Sequence, residues 1–109
     1  EGLGFFEGKC KKFFQKNKIN KFPLPHVGFN EVKHKNTKIW NGIKNSSYFY
    51  FIHSYRIYYS EHSYDCARTI YGEEFISFIE KSKVFGSQFH PEKSHLTGLN
   101  LIQNFCNLQ

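Results

Sequence analysis

His90 and Glu92, separated only by Pro91, are the pair in this 109-residue chain best suited to proton chemistry. In extended backbone, positions i and i+2 project to one face, which would set the two side chains beside each other. Pro91 has a fixed φ and steers His90 away from helical geometry, so the segment reads as a strand end that presents an imidazole. An imidazole changes charge near neutral pH, and a carboxylate beside it suits general acid–base work on a third group. That third group would be a nucleophile, and none stands nearby in sequence. A satisfied surface pair of the same composition is the structural alternative, and spacing by itself leaves both open.

The flanking residues predict what positions the pair. Lys83 to Phe89 is apolar with a break at Gly86, as in a mostly buried strand. Ser94 is a candidate N-cap for a helix in which Leu96, Leu99, Leu101, Ile102 and Phe105 would form one apolar face. Tyr48 to Tyr55 is aromatic and β-branched throughout and carries the strongest strand signal in the chain. Tyr64 to Tyr71, a turn at Gly72-Glu73-Glu74, and Phe75 to Ile79 predict an antiparallel hairpin. The two prolines of Phe22-Pro23-Leu24-Pro25 predict an extended approach to a strand running to Val32, and Thr37 to Ser47 a short helical turn and a loop. Gly2 to Gly8 reads as a loop into a strand that Lys11 to Gln15 continues. Several aromatic strands with one C-terminal helix point to part of an α/β sheet rather than a helical bundle.

Composition narrows the classes. With 39% hydrophobic and 19% aromatic residues, the chain can build one modest core. The net charge of +6 is concentrated in residues 1–44, which hold ten lysines against three glutamates. The stretch Lys9-Cys10-Lys11-Lys12-Phe13-Phe14-Gln15-Lys16 has the makings of an anion-binding surface, but a lysine-rich chain with two arginines favours solvated lysines over phosphate clamps, so no nucleic acid is expected as a partner. Cys10, Cys66 and Cys106 are odd in number and widely spaced, which argues against a disulfide framework or a zinc site and fits a reducing cytoplasm. Cys66 beside Asp65 has nothing nearby to activate it and reads as a small packed thiol. No apolar run approaches the ~18 residues of a membrane span, and no signal peptide is present, so a soluble, cytoplasmic protein without membrane partners is expected.

Three strings lie in an informative order: Pro25-His26-Val27-Gly28-Phe29-Asn30, Tyr50-Phe51-Ile52-His53-Ser54-Tyr55, and Gln88-Phe89-His90-Pro91-Glu92-Lys93-Ser94 followed by Gly98-Leu99 and Asn104-Phe105. Together they resemble the class I glutamine amidotransferases, in particular the branch whose glutaminase subunit hands ammonia to a cyclase subunit in histidine biosynthesis. Gly2-Leu3-Gly4 is similar to the turn that follows the nucleophile helix in that family. The resemblance implies the C-terminal portion of a flavodoxin-like domain, a mixed sheet with an antiparallel hairpin and a C-terminal helix. It also implies a glutamine substrate, a synthase or cyclase partner in a heterodimer, and no cofactor or metal. In such enzymes a cysteine thiolate attacks the glutamine side-chain amide, a histidine protonates the leaving ammonia and then activates water, and a glutamate orients the histidine. The resemblance assigns those last two roles to His90 and Glu92. It assigns contacts with the main chain of glutamine to Ser54 and Tyr55, and the partner interface to His26, Phe29, Asn30 and Lys93, with His53 beside them. Phe29 stands where the family has Trp, keeping an aromatic ring without the indole donor.

The nucleophile requires a Gly-x-Cys-x-Gly elbow, since a sharp strand-to-helix turn needs small neighbours to expose the sulfur. Cys10 lies between lysines, with Lys12 at the second glycine position, and neither Cys66 nor Cys106 has a glycine within two residues. The expectation is therefore that residues 1–109 are a partial amidotransferase domain without the elbow, inactive towards glutamine when isolated. A paralogous amidotransferase that supplies ammonia for amidation of a surface sugar, and a non-catalytic basic binding module, are the alternatives.

Overall fold

The computed structural model describes residues 6, 8–13, 22–59 and 65–108. The early glycine turn, Phe14 to Lys16 of the basic stretch, and Tyr64 lie outside the described residues. The elements are β1 (Gly8–Lys12), β2 (His26–Val32), a 3-10 turn (Lys38–Trp40), β3 (Ser47–His53), β4 (Tyr55–Tyr59), β5 (Asp65–Tyr71), β6 (Glu73–Lys81), β7 (Val84–Ser87), a second 3-10 turn (Pro91–Lys93) and α1 (His95–Asn107). Among the described residues no helix is long and apolar enough to cross a membrane.

The strands form three ladders, β1–β4, β2–β3 and β5–β6–β7. Against the expected mixed sheet, every pairing among the described residues is antiparallel. Paired 2.9 Å hydrogen bonds between Lys33 and Arg68 join the end of β2 to β5. On β2–β3 the side chains alternate as a pleat demands: Val32, Phe49 and Phe51 are fully buried on one face, while Val27, Phe29, Tyr48 and Ile52 are exposed on the other. Trp40, Phe49, Phe78 and Phe89 pack around one another, with Phe49 and Phe89 centroids 4.4 Å apart. Each such buried ring contributes roughly 1.5–3 kcal/mol.

The predicted Tyr48–Tyr55 strand is two strands. β3 ends at His53 and β4 begins at Tyr55, exchanging β2 as a ladder partner for β1. The break lies at Ser54, whose carbonyl accepts from the Phe13 N–H at 3.1 Å while the His53 ring reaches over to the Tyr55 carbonyl. The hairpin is observed, but its turn is tighter than expected. Gly72 alone (φ 75°) makes the bend, and Glu73 and Glu74 already belong to β6. They stay in the strand because both hold the buried Arg56: its Nη1 donates to Glu73 Oε2 at 2.5 Å and to the Glu74 carbonyl at 3.2 Å.

The helix is rotated from its expected setting. Leu101 is buried, but Leu96 is 81% exposed, and Leu99 and Phe105 are also exposed. At about 100° per residue Leu96 lies about 140° from Leu101, so the five apolar residues cannot share one face. Gly98 and Leu101 face the core instead, and Asn104 Nδ2 donates to the Ile39 and Asn41 carbonyls at 2.8 Å each, fixing the rotation.

Candidate functional site

Phe89 is the last buried residue before the site. It is held by the Ser87 hydroxyl, which donates to its carbonyl at 2.9 Å. The chain then emerges at His90 (φ −103°, ψ 97°) and enters the Pro91–Lys93 turn, with Pro91 where its missing N–H costs nothing. His90 and Glu92 therefore meet across a 3-10 turn, not along an extended strand. The distance from His90 Nδ1 to Glu92 Oε2 is 2.9 Å. A carboxylate only accepts, so Nδ1 carries the proton and Nε2 is left as the acceptor nitrogen of the ring. The hydrogen bond from His90, with one from its own backbone, holds the Glu92 carboxyl below its usual range. The His90 side chain is 39% exposed, open enough to meet a substrate.

Ser94, expected as an N-cap, makes no cap bond. Its hydroxyl accepts from the Tyr50 N–H at 2.9 Å and donates to the His90 carbonyl at 2.6 Å, while the His90 N–H donates to the Tyr50 carbonyl at 2.9 Å. His90 is thus clamped from both sides to the middle of β3. Ser94 is 2% exposed, so Ser94→Ala would strand the Tyr50 N–H in the interior and cost roughly 1–3 kcal/mol. Urea unfolding of the two forms would measure that loss, and an unchanged midpoint would remove the clamp from the account.

Ser54 and Tyr55 occupy the bend at the far end of the same strand. The middle of β3 therefore holds the His90 junction, and its C-terminal end leads directly into the expected glutamine contacts. Of the residues assigned to an interface, Phe29 is exposed, stacks on His95 at 5.3 Å and meets the Tyr50 ring edge-on at 5.5 Å. Lys93 is exposed in the 3-10 turn. Asn30 is half-buried and donates to the Ile70 carbonyl at 3.0 Å. His26 is 3% exposed, so its ring lies inside the fold and not on a contact surface. Cys10 and Cys106 are exposed and Cys66 is half-buried. None of the three is a hydrogen-bond partner of His90 among the described residues. Among those residues no group of three or more His, Cys, Asp or Glu could hold a metal ion.

Ser94, Tyr50 and Gly98 escaped residue-by-residue reading as site components. Only Gly98 left a signal, since glycine within a helix costs about 1 kcal/mol relative to alanine and so asks for a packing reason.

The class I glutamine amidotransferase family matches residues 13–108. Imidazole glycerol phosphate synthase subunit HisH of Pelagibacter ubique is 47% identical over 109 residues, covering 99% of this chain and 51% of that protein. The subunit of the same name from Methanocaldococcus jannaschii is 48% identical over 111 residues, covering 99% and 53%. That from Pyrococcus furiosus is 42% identical over 110 residues, covering 99% and 54%. The chain spans about half the length of the curated relatives it matches. A family match across nearly all of its residues, with the histidine–glutamate pair hydrogen-bonded at a strand-to-helix junction, means that the chain belongs to the class I glutamine amidotransferase family.

Proposed function

We propose that the chain is the acid–base half of a glutaminase subunit of imidazole glycerol phosphate synthase, which hydrolyses glutamine and passes the ammonia to a cyclase subunit in histidine biosynthesis. The observation that carries this reading is the His90–Glu92 pair, supported by 42–48% identity to subunits of that name. In this scheme a cysteine thiolate from an elbow other than Cys10, Cys66 or Cys106 attacks the glutamine side-chain carbon. His90 Nε2 takes the thiol proton as that thiolate forms, delivers it to the departing ammonia, then takes another from the water that opens the thioester. Glu92 keeps the imidazole in the Nδ1–H tautomer throughout. Ser54 and Tyr55 receive the main chain of glutamine at the β3–β4 bend. Phe29 and Lys93 face the cyclase subunit, with Asn30 and the buried His26 supporting that surface from behind. The antiparallel strands form one side of a flavodoxin-like domain with a mixed sheet, and residues 1–109 alone release no ammonia.

In the full-length protein assembled with a cyclase subunit, His90→Ala is expected to lower glutaminase turnover about 10²–10⁴-fold, the usual contribution of a positioned acid–base group. Glutamine-dependent ammonia release that survives the substitution would discard the reading.

A further inference from the structure

We propose that His26 and His53 are positioning residues for glutamine. They form a one-directional hydrogen-bond relay, from Asn30 through both rings to the Tyr55 carbonyl, that sets the Ser54–Tyr55 bend. The proposal rests on the amidotransferase reading of that bend.

The direction follows from the one partner that cannot donate. His53 Nδ1 lies 2.9 Å from the Tyr55 carbonyl, so the proton is on Nδ1 and His53 Nε2 is bare. His26 Nδ1, 2.9 Å from His53 Nε2, must then donate, which leaves His26 Nε2 bare in turn. The Asn30 amide fills it from 3.2 Å and spends its second proton on the Ile70 carbonyl at 3.0 Å. The Asn30 oxygen accepts the Glu31 N–H at 2.7 Å, which fixes the orientation of the amide. No link can reverse without setting donor against donor or acceptor against acceptor.

Packing holds the rings in plane. His26 is sandwiched between Tyr71 at 3.9 Å and Phe51 at 4.8 Å, each tilted 18° from it. His53 lies against Phe13 at 5.1 Å and Phe75 at 5.4 Å. Both carbonyls of the bend are consequently pinned, that of Ser54 by the Phe13 N–H and that of Tyr55 by His53. Burial, with the neighbouring His53, lowers the His26 pKa to about 4. Burial also lowers that of His53, with a smaller contribution from His90 against the raising hydrogen bond to Tyr55, so both rings are neutral at pH 7 as the relay requires. Among the described residues neither histidine ring hydrogen-bonds to His90 or Glu92, and His53 meets His90 only through charge, so the relay acts chiefly on the substrate's seat.

The test uses the full-length protein assembled with a cyclase subunit. His26→Phe keeps a flat ring between Tyr71 and Phe51 but can neither donate nor accept. It should raise KM for glutamine about tenfold, the worth of one lost positioning hydrogen bond, with kcat within about threefold. His26→Asn restores a donor near the Nδ1 position and should recover most of the loss. In the unaltered protein at pH 7, the ring nitrogen-15 spectrum should show both histidines neutral and protonated on Nδ1. His53 protonated on Nε2, or an unchanged KM in His26→Phe, would overturn the proposal. If the unaltered protein turns over no glutamine, the amidotransferase reading fails, while the ring spectrum still decides the relay.

Discussion

Gly98→Ala is expected to destabilise the protein by a net amount of about 2 kcal/mol and to displace the His90–Glu92 turn. A methyl group there would lie 1.9 Å from the Pro91 carbonyl oxygen and 2.8 Å from both the Pro91 carbonyl carbon and the Ser94 Cβ. The clashing atoms are mostly backbone, so no side-chain rotation relieves them. Either the first turn of α1 or the Pro91–Lys93 turn must move by about 1 Å, in an interior packed too densely to absorb it. Helix propensity works the other way, favouring alanine over glycine by about 1 kcal/mol. Overpacking of this kind costs up to about 3 kcal/mol, so the steric term wins. For a chain of this size the melting temperature should fall by about 8–16 °C. In the assembled enzyme turnover should fall with it, because the displaced segment begins one residue after His90. A melting temperature that stays level or rises would mean that propensity, and not the close approach, governs this helix.

Acidification is expected to remove about 3 kcal/mol of stability through His26 alone. Its pKa is 6.5 in an unfolded chain and about 4 in the fold, where burial and His53 disfavour the imidazolium. Below pH 6.5 the unfolded chain therefore binds protons that the folded one refuses, so stability rises with pH in this window. The stabilisation is complete above pH 6.5, declines as pH falls, and is exhausted below about pH 4; a gap of that width is worth about 3 kcal/mol. His53, also lowered, adds loss of the same sign. Glu80 opposes it, because its carboxyl is raised by burial, against the Thr37 hydrogen bond, so its protonation favours the fold. Urea midpoints between pH 7.5 and 4 measure the slope, and His26→Phe should flatten most of it. A midpoint independent of pH in the unaltered protein would mean that His26 takes up its proton without disturbing the relay.

The sequence by itself determined the chemistry-bearing string, most of the strands and the family. His90-Pro91-Glu92 is local, and proline at its centre leaves the backbone few ways to run. The aromatic run of β3 and the hairpin of β5 and β6 are legible because alternation and turn residues act over neighbouring positions. What the tertiary structure decided lies between residues far apart in the chain. Ser94 offered a helix cap, and only its meeting with Tyr50 turned the hydroxyl into a clamp on His90. The Tyr48–Tyr55 run looked like one strand until Phe13 and the His53 ring took the carbonyls on either side of Ser54's bend. The rotation of α1 followed from Asn104 reaching the Ile39 and Asn41 carbonyls and from the contact of Gly98 with Pro91, not from the distribution of its leucines. His26 and His53 stand 27 positions apart, so their hydrogen bond exists only because β2 and β3 pair in the register that sets them opposite each other. Local propensity writes elements and motifs, whereas burial and hydrogen-bond satisfaction, settled across ladders, decide which polar groups in them work together.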